Sequence, residues 1–77
     1  MDAAQIGAAI AQRRRLLKLT QQEVAELSGI DRRTLSEIES ARGPRGVSLT
    51  NLIAVTATLG LELEVAPIEG PARGRTR

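Results

Sequence analysis

Four times along this 77-residue chain, a short polar side chain able to cap a helix sits between two apolar residues at one fixed spacing. No other feature constrains the fold as tightly. The capping residues are Asp2, Thr20, Asp31 and Ser48, whose side-chain oxygens can accept from the unpaired backbone N–H groups of a first helical turn. The apolar pairs are Met1/Ile6, Leu19/Val24, Ile30/Leu35 and Val47/Leu52, each joining the residue before the cap to the fourth residue of the helix. Contact within such a pair staples the incoming chain to the first turn and sets its angle. Thr20 with Glu23 adds a capping box, and Asp2 with Gln5 a near relative of one. The stops agree with the starts. Gly29 can take the left-handed conformation that ends a helix, Gly43-Pro44 forbids further helix, and Gly60 closes the last one. The spacing predicts helices over 3–18, 21–28, 32–41 and 49–59. Their buried stripes are Ile6, Ile10 and Leu17; Val24 and Ala25; Leu35 and Ile38; and Leu49, Leu52, Ile53, Thr56 and Leu59.

After Gly60 the period changes. Leu61, Leu63 and Val65 alternate with Glu62 and Glu64, a strand pattern over 61–66 that Pro67 ends. Residues 67–77 are rich in Gly, Pro and Arg, have little to bury and are expected to be disordered. The chain then divides into a helical domain over 1–60, a strand over 61–66 and an Arg-rich tail. A single strand leaves its backbone groups unpaired, and the sequence offers no second one. The same strand from another copy, antiparallel across a two-fold axis, satisfies it and makes the chain a homodimer.

Composition points the same way. Apolar residues make up 42% of the chain without one Phe, Tyr or Trp, so the single small core must be built from aliphatic side chains. With no Cys and no His there is no disulfide, no thiolate or imidazole metal site, and most nucleophile and general-base chemistry is missing. The expectation is a non-enzyme with no metal and no cofactor, which gains stability by self-association. No apolar run approaches the ~20 residues that span a bilayer, and the N-terminus lacks the pattern of a signal peptide, so the expected location is the cytoplasm. The net charge of +2 is uneven: Arg73, Arg75 and Arg77 sit in residues 70–77, leaving eight basic against nine acidic residues in the 69 before them. Such a body does not coat nucleic acid through bulk charge; the placement of its cations decides what it binds.

Within the second and third helices the positions match a helix-turn-helix unit. Counting from Gln21, a small residue (Ala25) stands fifth, Gly29 ninth, Leu35 fifteenth and Ile38 eighteenth. The small residue allows close crossing, the glycine turns the chain, and the two apolar residues seat the second helix. Arg32, Arg33 and Ser36 then point outward from that helix's first turns, where a recognition helix presents groups to base edges. Two arginines at a helix N-terminus oppose its macrodipole, which implies an anionic partner.

The stretch from Ile6 to Val65 resembles the XRE/Cro-repressor class of helix-turn-helix domains, through Leu19-Thr20-Gln21-Gln22-Glu23-Val24-Ala25 and Gly29-Ile30-Asp31-Arg32-Arg33-Thr34-Leu35-Ser36-Glu37-Ile38-Glu39. Ser48-Leu49-Thr50-Asn51-Leu52, running on into Leu59-Gly60-Leu61-Glu62-Leu63-Glu64-Val65, is similar to the narrower HipB-type antitoxins, which repress their own operons and neutralise a HipA-type kinase toxin. The resemblance implies a mostly α, four-helix, lambda-repressor-like helix-turn-helix domain with one C-terminal β-strand pairing across a dimer. It implies double-stranded DNA as partner, in the form of a palindromic operator, with a HipA-like kinase toxin as a second. It places Arg32, Arg33 and Ser36 on bases, and Gln21, Thr34, Arg42, Arg45 and Arg14 on phosphates. Arg14 and Glu39 align with a structural ion pair tying the first helix to the third. Glu37, four residues from Arg33, either orients that arginine or accepts from a cytosine amino group. Two other functions fit the residues: a repressor with no toxin, and a protein-binding inhibitor for which DNA is incidental. The outward arginine pair argues against the last.

Overall fold

In the computed structural model, residues 2–43 and 46–68 are described. Four helices account for the regular structure, α1 (Ala3–Leu16), α2 (Gln21–Ser28), α3 (Arg32–Ser40) and α4 (Leu49–Thr58). Each begins at one of the four capping residues. Asp2 accepts from the Gln5 N–H at 2.9 Å, Thr20 from Glu23 at 3.0 Å, Asp31 from Thr34 at 2.7 Å and Ser48 from Asn51 at 3.3 Å. Gln5 and Glu23 return the bond to the N–H of Asp2 and Thr20, so both capping boxes are closed. Met1, half of the first apolar pair, lies outside the described residues, as do Pro44, Arg45 and the tail from residue 69.

The helix ends share one device, only half of which is visible in the sequence. After each of α1, α2, α3 and α4 a residue with positive φ turns the chain: Lys18 (61°), Gly29 (75°), Ala41 (57°) and Gly60 (69°). Each time, the N–H of the following residue donates to a carbonyl five residues back: Leu19 to Arg14, Ile30 to Ala25, Arg42 to Glu37, and Leu61 to Thr56, at 2.8–3.1 Å. This is the Schellman closure, usually built on glycine. At Lys18 and Ala41 it is built on L-residues, which costs roughly 1–2 kcal/mol each in backbone strain. The left-handed closures leave the helices shorter than the sequence reading: α1 stops at Leu16 instead of reaching 18, α3 at Ser40 instead of 41 and α4 at Thr58 instead of 59.

The core is wholly aliphatic: Ile10, Val24, Ala25, Leu35, Ile38, Val55 and Leu59 are buried, with Ile6, Leu19, Ile30, Leu52 and Leu61 packed around them. α1 and α2 both pack on α3, and α2 also packs on α4. α1 reaches α3 through Gly7, where an added Cβ would collide with the carbonyl oxygen of Ile38 and lie 2.7 Å from that of Glu39. Glycine inside a helix costs about 1 kcal/mol relative to alanine, and here it permits backbone-to-backbone approach. The stripe of α4 departs from expectation. Val55, Thr56 and Leu59 are buried, while Leu49 is 69% and Ile53 53% exposed. α4 is apolar on most of its circumference, so periodicity does not reveal which face is covered. Leu17 is likewise outside the core, at 42% exposed.

Among the described residues there is no strand. Residues 61–68 carry no regular secondary structure: Leu61 packs on the core, while Leu63 and Val65 are exposed. The physical reason is the one that made the strand doubtful in isolation, since among the described residues no other extended segment pairs with it to complete the hydrogen bonds.

Candidate nucleic-acid interface

The turn at Gly29 sets α3 across α2 and brings the first residue of each helix side by side. At the start of α3, the Asp31 carboxylate accepts from the Thr34 backbone N–H, and this bond holds its pKa below the usual carboxylate value. The first turn of α3 contains no acid and presents Arg32 and Arg33 to solvent. Ser36, one turn further on, is half-buried, and its carbonyl accepts from Ser40 Oγ at 2.9 Å. Thr34 is half-buried. Arg42 is exposed just past the end of α3, and Arg45 lies outside the described residues.

The two arginines are held differently. Arg33 Nε lies 3.5 Å from Glu37 Oε2, one helical turn away, with 85% of the arginine side chain exposed. Such a surface pair is weak, worth about 0–1 kcal/mol. Arg32 instead donates from a terminal guanidinium nitrogen to Gln21 Oε1 at 3.1 Å. The amide of Gln21 in turn donates to Glu39 Oε1 at 3.0 Å, and Glu39 is clasped by Arg14 through two bonds of 2.7 and 3.0 Å. The remaining Arg14 nitrogen donates to the Leu19 carbonyl at 3.0 Å.

Arg14 and Glu39 side chains are only 12% and 6% exposed. The hydrogen bond to Glu39 raises the Arg14 pKa against the opposing effect of burial. Burial pushes the Glu39 carboxyl up, but the hydrogen bonds from Arg14 and Gln21 and the charge of Arg14 outweigh it, and the net shift is downward. The pair therefore stays ionised. All three nitrogens of Arg14 are engaged within the protein, two of them in the ion pair with Glu39 and one on the Leu19 carbonyl. Gln21 is likewise committed at both ends of its amide, a role the sequence did not suggest. The signal lay in the alternation of donor and acceptor types at 14, 39, 21 and 32, which becomes meaningful only once the fold makes them neighbours.

Among the described residues no group of three His, Cys, Asp or Glu is placed to hold a metal ion, and no helix is long and apolar enough to cross a membrane.

The model of a helix-turn-helix family (HTH_3) matches residues 10–65, which spans α2, α3 and α4 entirely. Among solved structures, the restriction-modification controller protein C.AhdI from Aeromonas hydrophila is similar at 31% identity over 79% of this chain and 89% of that one, with a TM-score of 0.71. A chain of a HipA-HipB-O2-O3 complex is similar at 25% identity, over 90% of this chain and 94% of that one, with a TM-score of 0.76. A protein described only as MDT protein gives the same identity and coverage with a TM-score of 0.77. Among proteins of curated function, none matches this sequence. Arginines on the outer face of α3, the packed α2–turn–α3 unit beneath them and a family match over most of the chain agree: this chain belongs to the XRE-type helix-turn-helix family and is a DNA-binding transcriptional regulator.

Proposed function

We propose that the chain is a cytoplasmic, sequence-specific repressor that binds a palindromic operator as a homodimer, and that it is the antitoxin of a HipA/HipB-type module repressing its own operon. The observation that carries the DNA part is the exposed Arg32–Arg33 pair on the first turn of α3. An arginine fork matches O6 and N7 of guanine and is worth roughly 1–3 kcal/mol of discrimination at one base pair. Ser36 lies one turn behind for a further base contact, and Thr34, Arg42 and Arg45 flank the pair for phosphates. Glu37 orients Arg33. Footprinting the region upstream of the gene tests this reading: a protected palindrome is expected, with affinity falling steeply as salt rises, and no protection anywhere near the gene refutes it.

Support for the dimer comes from an apolar groove of about 690 Å³ between α4 and the segment that follows it. Leu49, Ile53, Leu63 and Val65 line it and are exposed in a single chain. A second copy covers them, pairs the backbone of residues 61–66 and leaves Glu62 and Glu64 at the rim. Sedimentation decides this: a dimer that dissociates only as it unfolds is expected, and a folded monomer at micromolar concentration overturns it.

Support for the toxin is the similarity to a chain of a HipA-HipB complex over nearly the whole length of both. The controller protein, at higher identity, favours the alternative of a stand-alone repressor. A kinase-like reading frame beside this gene whose product co-purifies with the chain supports the antitoxin reading; a neighbouring restriction-modification operon supports the alternative.

A further inference from the structure

Residues 61–65 have two sides, and the dimer proposed above accounts for one. Toward α4 lies the groove of about 690 Å³ that a second copy covers. Toward α1 lies another cleft, of about 350 Å³, lined by Ile6, Ala9 and Ile10. Among the described residues, Glu62 and Glu64 are the only charged groups lining either one. Both are exposed, and no described basic side chain pairs with them. In a two-fold ribbon each also comes near the same acids of the other copy, and like charges held opposite one another destabilise a strand pair. A strand paired on one side still shows a row of unpaired N–H and C=O groups on the other.

The sequence carries a complement. Arg73, Arg75 and Arg77 alternate with Gly74 and Thr76, at the same two-residue period as Glu62 and Glu64. Side chains two apart on a strand share a face. Laid antiparallel to 61–65 with Arg73 opposite Glu64, this run also brings Arg75 opposite Glu62. The other face of that register sets Ala72, Gly74 and Thr76 against Val65, Leu63 and Leu61, and such small side chains leave the apolar row free to pack. Eight residues separate Glu64 from Arg73, and Pro67 and Gly70-Pro71 among them stop the pairing and let the chain reverse. Burial of apolar surface gives the Arg-rich tail nothing to hold it; matched charge does.

We propose that residues 72–76 form an intramolecular edge strand, antiparallel to 61–65 on the side that a second copy leaves open, with Arg73 against Glu64 and Arg75 against Glu62. The inference rests on the strand dimer proposed above, to which it adds one outer strand per copy. Arginines held by the protein's own acids are withheld from phosphates, so the tail adds no sequence-blind affinity for DNA.

The chain has no cysteine, so an engineered pair can be read without interference. Glu64→Cys/Arg73→Cys puts two thiols at directly opposed positions, where a Cα spacing of about 4.5–5.5 Å suits a disulfide. Glu64→Cys/Arg77→Cys is the out-of-register control, and both variants keep Glu62 and Arg75. Each is equilibrated with a glutathione redox buffer, and the disulfide is quantified by intact mass. For an unattached tail, loop length alone favours the shorter closure by less than about twofold. Pairing is expected to favour the in-register bond by about tenfold or more. Raising salt from about 0.05 to about 0.5 M should at least halve that preference, because exposed ion pairs are screened. A preference within about twofold, one indifferent to salt, or a bond that joins two chains instead of closing within one overturns the inference.

A second measurement separates the protein's acids from DNA as the destination of the arginines. Deleting residues 70–77 is expected to leave unchanged the slope of log affinity against log salt for a duplex that the wild type enriches from a randomised pool. A slope smaller by about two or three places the arginines on phosphates and overturns the inference as well. Sedimentation of the wild type tests the ribbon by itself, so a monomer with the crosslink preference intact removes the dimer and not the tail pairing.

Discussion

The Arg14–Glu39 pair offers the most demanding test of the packing argument. Arg14→Met keeps the aliphatic stem and removes the charge, leaving a carboxylate that is 6% exposed with only the Gln21 amide as a close partner, and stripping the Leu19 carbonyl of a donor. Breaking a buried pair from one side costs about 3–5 kcal/mol; the surviving Gln21 bond argues for the lower end, near 3. For a 77-residue chain the whole folding free energy is about 4–12 kcal/mol, so the variant sits close to its unfolding threshold. Removing both charges in Arg14→Met/Glu39→Met should recover most of the loss, to within about 1 kcal/mol of the wild type, since no uncompensated charge remains. Urea unfolding followed by far-UV circular dichroism measures all four corners of the cycle; tryptophan fluorescence is excluded because the chain has no aromatic residue. The pH dependence supplies a second, independent sign. In the wild type the folded-state pKa of Glu39 lies below its ordinary 4.5, so its stabilisation is present above that value and lost as pH falls through the depressed one. In Arg14→Met burial prevails and the folded-state pKa is raised, so protonation favours the folded variant. The gap between the two proteins should therefore narrow from about pH 7 to about pH 4. An Arg14→Met cost below about 0.5 kcal/mol, or a double variant no more stable than the single one, refutes the idea that this pair is held at low exposure by mutual compensation.

Three further perturbations follow from the same structure. Gly7→Ala adds a methyl between α1 and the backbone of α3, and the clash with two carbonyls should outweigh its gain in helix propensity, for a net loss of about 1–3 kcal/mol in a thermal or urea melt; an increase in stability would show that the helices can separate at little cost. Ala41→Gly relieves left-handed strain at the end of α3, offset in part by the added freedom of glycine in the unfolded chain, and should raise stability by about 0.5–1 kcal/mol by the same assay; destabilisation would count against the Schellman closure there. Arg42→Ala should weaken binding to the enriched duplex and to unrelated DNA alike and lower the slope of log affinity against log salt by about one; a loss confined to one base pair would make it a reader and not a backbone contact.

Much of the fold can be read from residues that act locally. Asp2, Thr20, Asp31 and Ser48 cap the turns that follow them whatever lies elsewhere in the chain, and all four helices begin where those side chains allow. Ends are less legible. Gly29 and Gly60 announce a left-handed turn by having no side chain, whereas Lys18 and Ala41 adopt it under the pull of the packed fold and carry no local mark. Faces are legible where a helix has a polar side, as α3 does, and not on α4, where Leu49 and Ile53 look as fit for burial as Leu52 and Val55. In the candidate interface the exposed arginines can be inferred from their place in the helix-turn-helix unit. What holds Arg32 cannot, because its line of partners joins three helices through residues 11, 18 and 25 positions apart in the chain.

One bond between α1 and the residue that follows α4 bears on the geometry of the proposed dimer. Arg13 Nε donates to the Leu59 carbonyl at 2.9 Å, with its contact part-buried, and so ties the last turn of α4 to α1. α1 in turn lies against α3 through Gly7. The residues leaving α4 at Gly60 therefore depart in a direction referenced to the recognition helix, much as the arm of a caliper is referenced to its jaw. Two copies joined beyond that point would inherit the reference twice, once on each side of the symmetry axis. In the proposed dimer the distance between half-sites would then be a property of the folded domain itself, and loosening Arg13 should blur the tolerated spacing before it weakens either half-site.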